Sequence, residues 1–392
     1  MHSFTGLLAL AASLPAFTSA VTFNLVDDYS GKTFFDNWDF YGNYDNLTNG
    51  DTTWVTKANA TSKNLAEINS AGNAVLKVST DTVVWNEKRD AVRITTQKAY
   101  PLGTIWITDV VHLPYGCSVW PAIWTLGQNT QNWPNDGEID ILEGINLNTN
   151  NQMALHTAPG CMHSTSVTQG GKSLQANCSV DAGCTVQDPD PKSYGNAFNQ
   201  AGGGVWATQF TKETLVSIWF WSRANIPASV TKLASSKDAI TSQDDWGTPT
   251  ANYPGGSDCD LTKSFTAQKL VYDITLCGTW GGNPDFYLPQ CSAQGPTTGA
   301  AACYTDNVVG NGSNYANAYF EIKYLRAYID PSAPAVPGQN TSSSGGSSSS
   351  NSSASGSSGK AGAGVAAAPP ITMAFLSSVA AIVIGAAFAS LL

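Results

Sequence analysis

Charge is scarce in this sequence: Asp, Glu, Lys and Arg together make up 12% of its 392 residues. Lys and Arg number 19 against 29 Asp and Glu, for a net charge of −10. So few cations cannot neutralise a phosphate backbone, which argues against a nucleic-acid partner and suits an uncharged one. There is no G-x-S-x-G, no P-loop and no dinucleotide-binding glycine fingerprint. Gly202-Gly203-Gly204 reads as a loop. C-x-x-C is missing too, and His112, His156 and His163 lack tight ligand spacing, so neither a metal nor a cofactor is expected. A structural calcium could be housed, but no ligand loop for it is readable. Long amphipathic helices and internal repeats are also lacking.

Glutamate is rarer still. Only Glu67, Glu87, Glu138, Glu143, Glu213 and Glu321 occur, and two of these six fall in Glu138-Ile139-Asp140-Ile141-Leu142-Glu143. The interleaved Ile and Leu, after the turn residues Asn135-Asp136-Gly137, predict a β-strand. On a pleated strand Glu138 and Asp140 share a face, and Glu143 points away. One extra residue at Ile141-Leu142, a β-bulge, brings all three acids onto one surface.

Paired acids on one surface fit glycoside hydrolysis. A retaining glycosidase needs a carboxylate nucleophile and a protonated carboxyl as general acid, about 5–5.5 Å apart. Crowded carboxylates disfavour one another's ionisation, so one stays neutral near pH 7. Glu138 is assigned as nucleophile, Asp140 as its supporting carboxylate and Glu143 as acid, then base. A solvated acidic strand or a calcium site is the alternative reading of the six residues alone.

The flanks decide between them. Trp120-Pro121-Ala122-Ile123-Trp124 and Asn132-Trp133-Pro134-Asn135-Asp136-Gly137 precede the acids; Gly144-Ile145-Asn146 and Leu155-His156-Thr157 follow. With Leu25-Val26-Asp27-Asp28-Tyr29-Ser30 and Leu276-Cys277-Gly278-Thr279-Trp280, the stretch 21–330 resembles glycoside hydrolase family 16, in its fungal laminarinase and endo-1,3(4)-β-glucanase branch. That branch carries the bulged E-x-D-x-x-E; lichenases and wall-crosslinking transglycosylases carry E-x-D-x-E. The resemblance implies a concanavalin-like β-jelly roll and a retaining endohydrolase of β-1,3 or mixed β-1,3/1,4-glucan. It supports the roles given to Glu138, Asp140 and Glu143. A wall transglycosylase, sharing the covalent intermediate, is the first alternative; a sugar-binding lectin, needing no acid pair, is the second.

Substrate-binding candidates come from the same segments. Core packing is the commoner fate of a lone Trp, but beside this motif Trp124, Trp133 and Trp280 are expected to be platforms for sugar rings, with Trp120 a lesser candidate. Arg93, in the strand-like Val92 to Thr95, is costly to bury unpaired and is expected to meet sugar hydroxyls or an acid. His156 is expected beside the acids, and Asn135 on the approach to them.

Strands are expected at 74–78, 92–95, 104–111, 215–221 and 319–329, separated by Gly, Asn, Asp and Pro clusters, with a short helix near 260–268. The architecture is therefore all-β, a sandwich of two antiparallel sheets with one face bent into a concave cleft; the resemblance implies that this sandwich is a jelly roll. Residues 1–20 form an export signal, with an apolar run from Leu7 to Leu14 and small residues Thr18-Ser19-Ala20 before the cut. Secretion makes the eight Cys disulfide partners, in one of 105 connectivities; Cys178 and Cys184 could close a small loop. Sequons stand at Asn46, Asn59, Asn177, Asn311, Asn340 and Asn351.

The catalytic domain is expected to span 21–330. Residues 331–370 are a stalk rich in Ser, Gly and Asn, which cannot bury enough apolar surface to fold. The apolar tail 371–392 follows without a basic anchor, the pattern of a glycosylphosphatidylinositol (GPI) signal, with attachment between Ser355 and Gly362. A tail-end membrane helix is the alternative. The expected partners are β-glucan and, through the lipid, the outer membrane leaflet or the wall; the expected state is a monomer.

Overall fold

The computed structural model describes residues 21–339 apart from 165, 213–214, 257, 293–298 and 300. The leader, most of the stalk, the apolar tail and the sequons at Asn340 and Asn351 lie outside the described residues. Asn46, Asn59 and Asn311 are exposed and Asn177 is half-buried.

Two eight-stranded antiparallel sheets make the body. The cleft sheet runs Lys172–Ser173, Cys184–Gln187, Gln152–His156, Glu138–Glu143, Val119–Gly127, Gln268–Leu276, Arg93–Thr96, Trp38–Phe40. The backing sheet runs Ala251–Tyr253, Leu215–Ser222, Gly204–Thr211, Thr104–His112, Tyr319–Ile329, Ala74–Lys77, Ala66–Ile68, and Asn24–Ser30 also pairs with Tyr319–Ile329. Alternation makes each strand two-faced. In Tyr319–Ile329, Phe320 and Ile322 are fully buried while Lys323 is exposed. In Gln268–Leu276, Leu270, Tyr272, Ile274 and Leu276 go into the core and leave Asp273 and Thr275 on the other face. The sheets meet through side chains such as Tyr272, whose ring stands edge-on to Phe320 at 5.7 Å and whose hydroxyl lies 2.6 Å from Thr108 Oγ1. Each fully buried Leu, Ile or Phe contributes roughly 1.5–3 kcal/mol.

The expected strands are all present, within a residue at each end. The helix near 260–268 shrinks to Leu261–Ser264, because Gln268 already opens a cleft strand. Described helices are short; the longest, Ala228–Ser235 and Pro284–Cys291, have eight residues. Four disulfides join Cys117–Cys291, Cys161–Cys259, Cys178–Cys184 and Cys277–Cys303, so the small loop at Cys178 is closed as expected. Two of them pin both ends of the segment 277–291 beside the cleft sheet.

Candidate active site

The acid-bearing strand sits near the middle of the cleft sheet, and its register shows how the acids converge. Opposite it, Leu126 faces Glu138, Trp124 faces Asp140, Ile123 faces Leu142 and Ala122 faces Glu143; Ile141 is the extra residue. Residues 122, 124 and 126 lie on one face of their strand, so the bulge places all three acids in successive rows of the cleft face. Ile139, Ile141 and Leu142 are buried and anchor the strand from behind. Gly137 starts it at φ +76, where a Cβ would strike the Phe265 ring at 2.3 Å; only glycine can turn there.

A bulge strands backbone polar groups, and one buried residue satisfies them. The Asn151 carboxamide accepts from Glu143 N–H and donates to Ile141 C=O, both at 2.9 Å. Asn151 is fully buried, and its own N–H donates to Ser193 Oγ. The carboxamide therefore fills the gap in the ladder and fixes the backbone that aims Glu143.

The acids have individual partners. Trp133 Nε1 donates to Glu138 Oε2 at 2.5 Å, and Trp120 Nε1 donates to Glu143 Oε1 at 2.8 Å. His156 pairs across the ladder with Glu138; its Nε2 lies 3.2 Å from Asp140 Oδ2 and 4.0 Å from Glu138 Oε1. Burial, reinforced by the Asp140 charge, pushes the Glu143 carboxyl up to about 8 against the Trp120 hydrogen bond. Burial and then Asp140 also raise Glu138 well above the carboxylate range, with His156 and Trp133 opposing. Burial alone would lower His156, yet the neighbouring Asp140, and behind it Glu138, lift it to about 10. Glu138 and Glu143 thus hold their protons more tightly than ordinary carboxyls, and the Glu pair keeps a proton near neutral pH. Glu138, Asp140 and His156 bring one donor atom each within 4.8 Å, the reach of a metal ion. His156 Nε2 faces Asp140 Oδ2 directly, so the trio also reads as a His–carboxylate pair beside a second acid.

The remaining expected residues fall in two groups. Trp120, Trp124 and Trp280 are half-buried along the cleft, and Trp133 is 53% exposed above Glu138. Trp280 meets Trp120 edge-on at 5.5 Å, so Trp120, the lesser candidate, both touches Glu143 and braces a second ring. Arg93 is paired, as its burial requires: Nη1 lies 3.5 Å from Asp273 Oδ2, and the guanidinium sits 4.8–5.2 Å from the Trp124, Trp54 and Tyr41 rings. It underlies Trp124, and at 5% exposure it presents almost no surface to a sugar. Asn135 is exposed in the turn before Glu138, where its Nδ2 donates to Asn132 Oδ1 at 3.2 Å.

Asp273 and Asn151 escaped the sequence reading. Asp273 accepts from Trp124 Nε1 at 3.1 Å, and burial raises it to about 6 against Arg93. An Asp among the alternating apolar residues of Val271-Tyr272-Asp273-Ile274 was a readable signal. Asn151 sits in Asn148-Thr149-Asn150-Asn151, where nothing marks one amide out.

A bulged acid trio on one face of an antiparallel sandwich defines a class. The chain belongs to glycoside hydrolase family 16. Within it, residues 38–328 match the XgeA-like catalytic GH16 domain. A probable glycosidase of Schizosaccharomyces pombe is 37% identical over 316 residues, 79% of this chain and 70% of that one. A probable endo-1,3(4)-beta-glucanase of Aspergillus fumigatus is 35% identical over 348 residues, 86% of this chain; the chain spans 51% of that relative's length. Laminarinase 16A from Phanerochaete chrysosporium, solved with β-glucans in its donor and acceptor sites, is 33% identical with a TM-score of 0.70, over 78% of this chain and 99% of that one. An elongating family 16 β-1,3-glucosyltransferase is 36% identical at TM-score 0.70, over 78% of this chain and all of that one.

Proposed function

We propose that the chain is an endo-acting, retaining β-glucanase that hydrolyses β-1,3 and mixed β-1,3/1,4-glucans. The observation that carries this reading is the bulged strand, which sets Glu138, Asp140 and Glu143 in successive rows of one open face. Glu138 attacks the anomeric carbon while Glu143 gives its proton to the glycosidic oxygen, releasing one chain fragment and leaving a glycosyl ester on Glu138. Glu143, now ionised, takes a proton from water; the hydroxide equivalent displaces Glu138 and restores both acids. Asp140 and its imidazolium partner hold Glu138 in place, and Trp133 steadies the carboxylate through its N–H. Trp124, Trp133, Trp280 and Trp120 offer flat faces to successive glucosyl rings.

Glu138→Gln should abolish release of reducing ends from laminarin and barley glucan while leaving binding intact; surviving turnover would refute the nucleophile assignment. Transglycosylation is the second reading, and the likeness to the elongating glucosyltransferase is consistent with it. Products longer than the starting oligosaccharide, without new reducing ends, would establish it. The Ser-rich stretch and apolar tail support export followed by a GPI anchor at the cell surface. Release of the protein from membranes by a phosphatidylinositol-specific phospholipase is the expected result, and retention would refute the anchor.

A further inference from the structure

Trp85 is 57% exposed, and its neighbour Val84 56%, on a loop outside the acid cleft. Exposure of so large a ring is informative, because most Trp surface is normally removed from water. The loop beneath it is firmly built. Arg89, fully buried, donates to the carbonyls of Ser79, Asp81, Val308 and Gly310 and so locks the residues before and after Trp85 to the segment around 308. Val83 and Gly310 exchange backbone hydrogen bonds at 2.8 and 2.9 Å. The Tyr304 ring meets Trp85 edge-on at 5.3 Å, and its hydroxyl donates to Glu87 C=O at 2.9 Å. The outcome is an aromatic pair held in solvent, with no hydrogen-bond partner for the Trp85 indole N–H among the described residues.

The pair is tied to the cleft. Tyr304 follows Cys303, which is bonded to Cys277, three residues before Trp280. With about 3.8 Å between successive Cα atoms, Tyr304 lies within ~20 Å of Trp280, beside Trp120 and Glu143. Lys88 Nζ further donates to Gly50 C=O, and Thr279 N–H to Thr48 C=O, joining the same loops by a second route.

We propose that Trp85 and Tyr304 form an auxiliary saccharide-binding platform at the rim, holding glucosyl units of a polymeric β-glucan beyond the catalytic cleft. The apolar face of a pyranose covers an indole, and Asn86 and the Glu87 carboxylate are exposed alongside for its hydroxyls. Two rings and a valine are too small an area for a stable protein interface, which takes about 800 Å² per partner. The inference rests on the glucanase reading for the identity of the sugar.

The test uses the full chain and two substrates. In a Glu138→Gln background, Trp85→Ala should sediment with insoluble β-1,3-glucan about tenfold more weakly than its parent, and Trp85→Phe should retain most of the binding. In the otherwise native chain, Trp85→Ala should keep kcat/KM on a short soluble β-1,3-oligosaccharide within about twofold. Unchanged polymer binding by Trp85→Ala overturns the platform. So does a loss on the short substrate as large as that on the polymer, which would make the ring part of the fold or the cleft. If the native chain hydrolyses neither substrate, the glucanase reading fails by itself, and the sedimentation result still decides on the platform.

Discussion

The acids of the backing sheet and the acid trio of the cleft sheet are compensated in opposite ways. On the backing sheet, Asp109 meets Arg223 through two hydrogen bonds of 2.9 and 2.6 Å, with Lys323 3.9 Å away. Asp28, also partly buried, accepts from Arg326 Nε, and this hydrogen bond with the other nearby donors and cations outweighs desolvation and brings its pKa below the ordinary value. On the cleft sheet, Glu138, Asp140 and Glu143 have a single imidazole among them, and desolvation wins, holding Glu143 up to about 8. Compensated acids cement a sheet; under-compensated acids keep a transferable proton. The chemistry collects where cations run short, which in a chain of 19 Lys and Arg means where the fold withholds them.

The contrast is broken most completely at the cleft acids. Glu138→Gln or Glu143→Gln should lower kcat by at least about a thousandfold. Glu143→Gln should at the same time raise stability in a defined window. A carboxyl lifted from 4.5 to about 8 binds its proton more tightly when folded, so it costs stability as pH rises through that interval. The Gln variant should therefore melt above the native chain at pH 8 but not at pH 4 by calorimetry; equal melting at pH 8 would contradict the shift.

Asn151→Ala comes next. It leaves the Glu143 N–H and Ile141 C=O unpaired in the interior, at about 1–3 kcal/mol each. Denaturant unfolding should show that loss together with a fall in kcat of roughly tenfold or more, as Glu143 drifts. A variant that loses stability and keeps full kcat would show that the amide does not aim the acid. On the backing sheet, Arg223→Met should cost about 2–3 kcal/mol, part of the penalty being relieved by Lys323, with kcat unchanged. A change in kcat there would erase the division of labour between the sheets.

The smallest expected effect is a shift in pH. Because Glu143 must be protonated to act as acid, kcat/KM should fall on the alkaline side near pH 8. The Trp120 N–H favours the carboxylate, so Trp120→Phe should raise the Glu143 pKa and carry that limb upward by a fraction of a unit. Movement downward would show that the indole acts by something other than its hydrogen bond.

Much of this was legible in the residues. The acid strand, its bulge and its cleft face follow from period-two parity, since Glu143 has no other way onto the side of Glu138. Strand Tyr319–Ile329 follows from alternation alone. Of the Trp, aromatic content said nothing about place: Trp38, Trp54, Trp106 and Trp206 are core, while Trp120, Trp124, Trp133 and Trp280 gather at the cleft, and only adjacency to the motif distinguished them. Three of the four disulfides and the Arg93–Asp273 pair depend on contacts 26 to 180 residues apart, which no local pattern encodes, and nothing local marks out Asn151 as the plug.

Ile141 has one more consequence. Because two residues of its strand stand opposite a single step of the neighbour, deleting it would shorten the chain yet leave the acids in the same three rows, with Asn151 the only amide made redundant. The distance counted in letters between the acids is therefore free to vary by an insertion or deletion, and the quantity that evolution has to hold constant is which side of the ribbon each carboxyl leaves from.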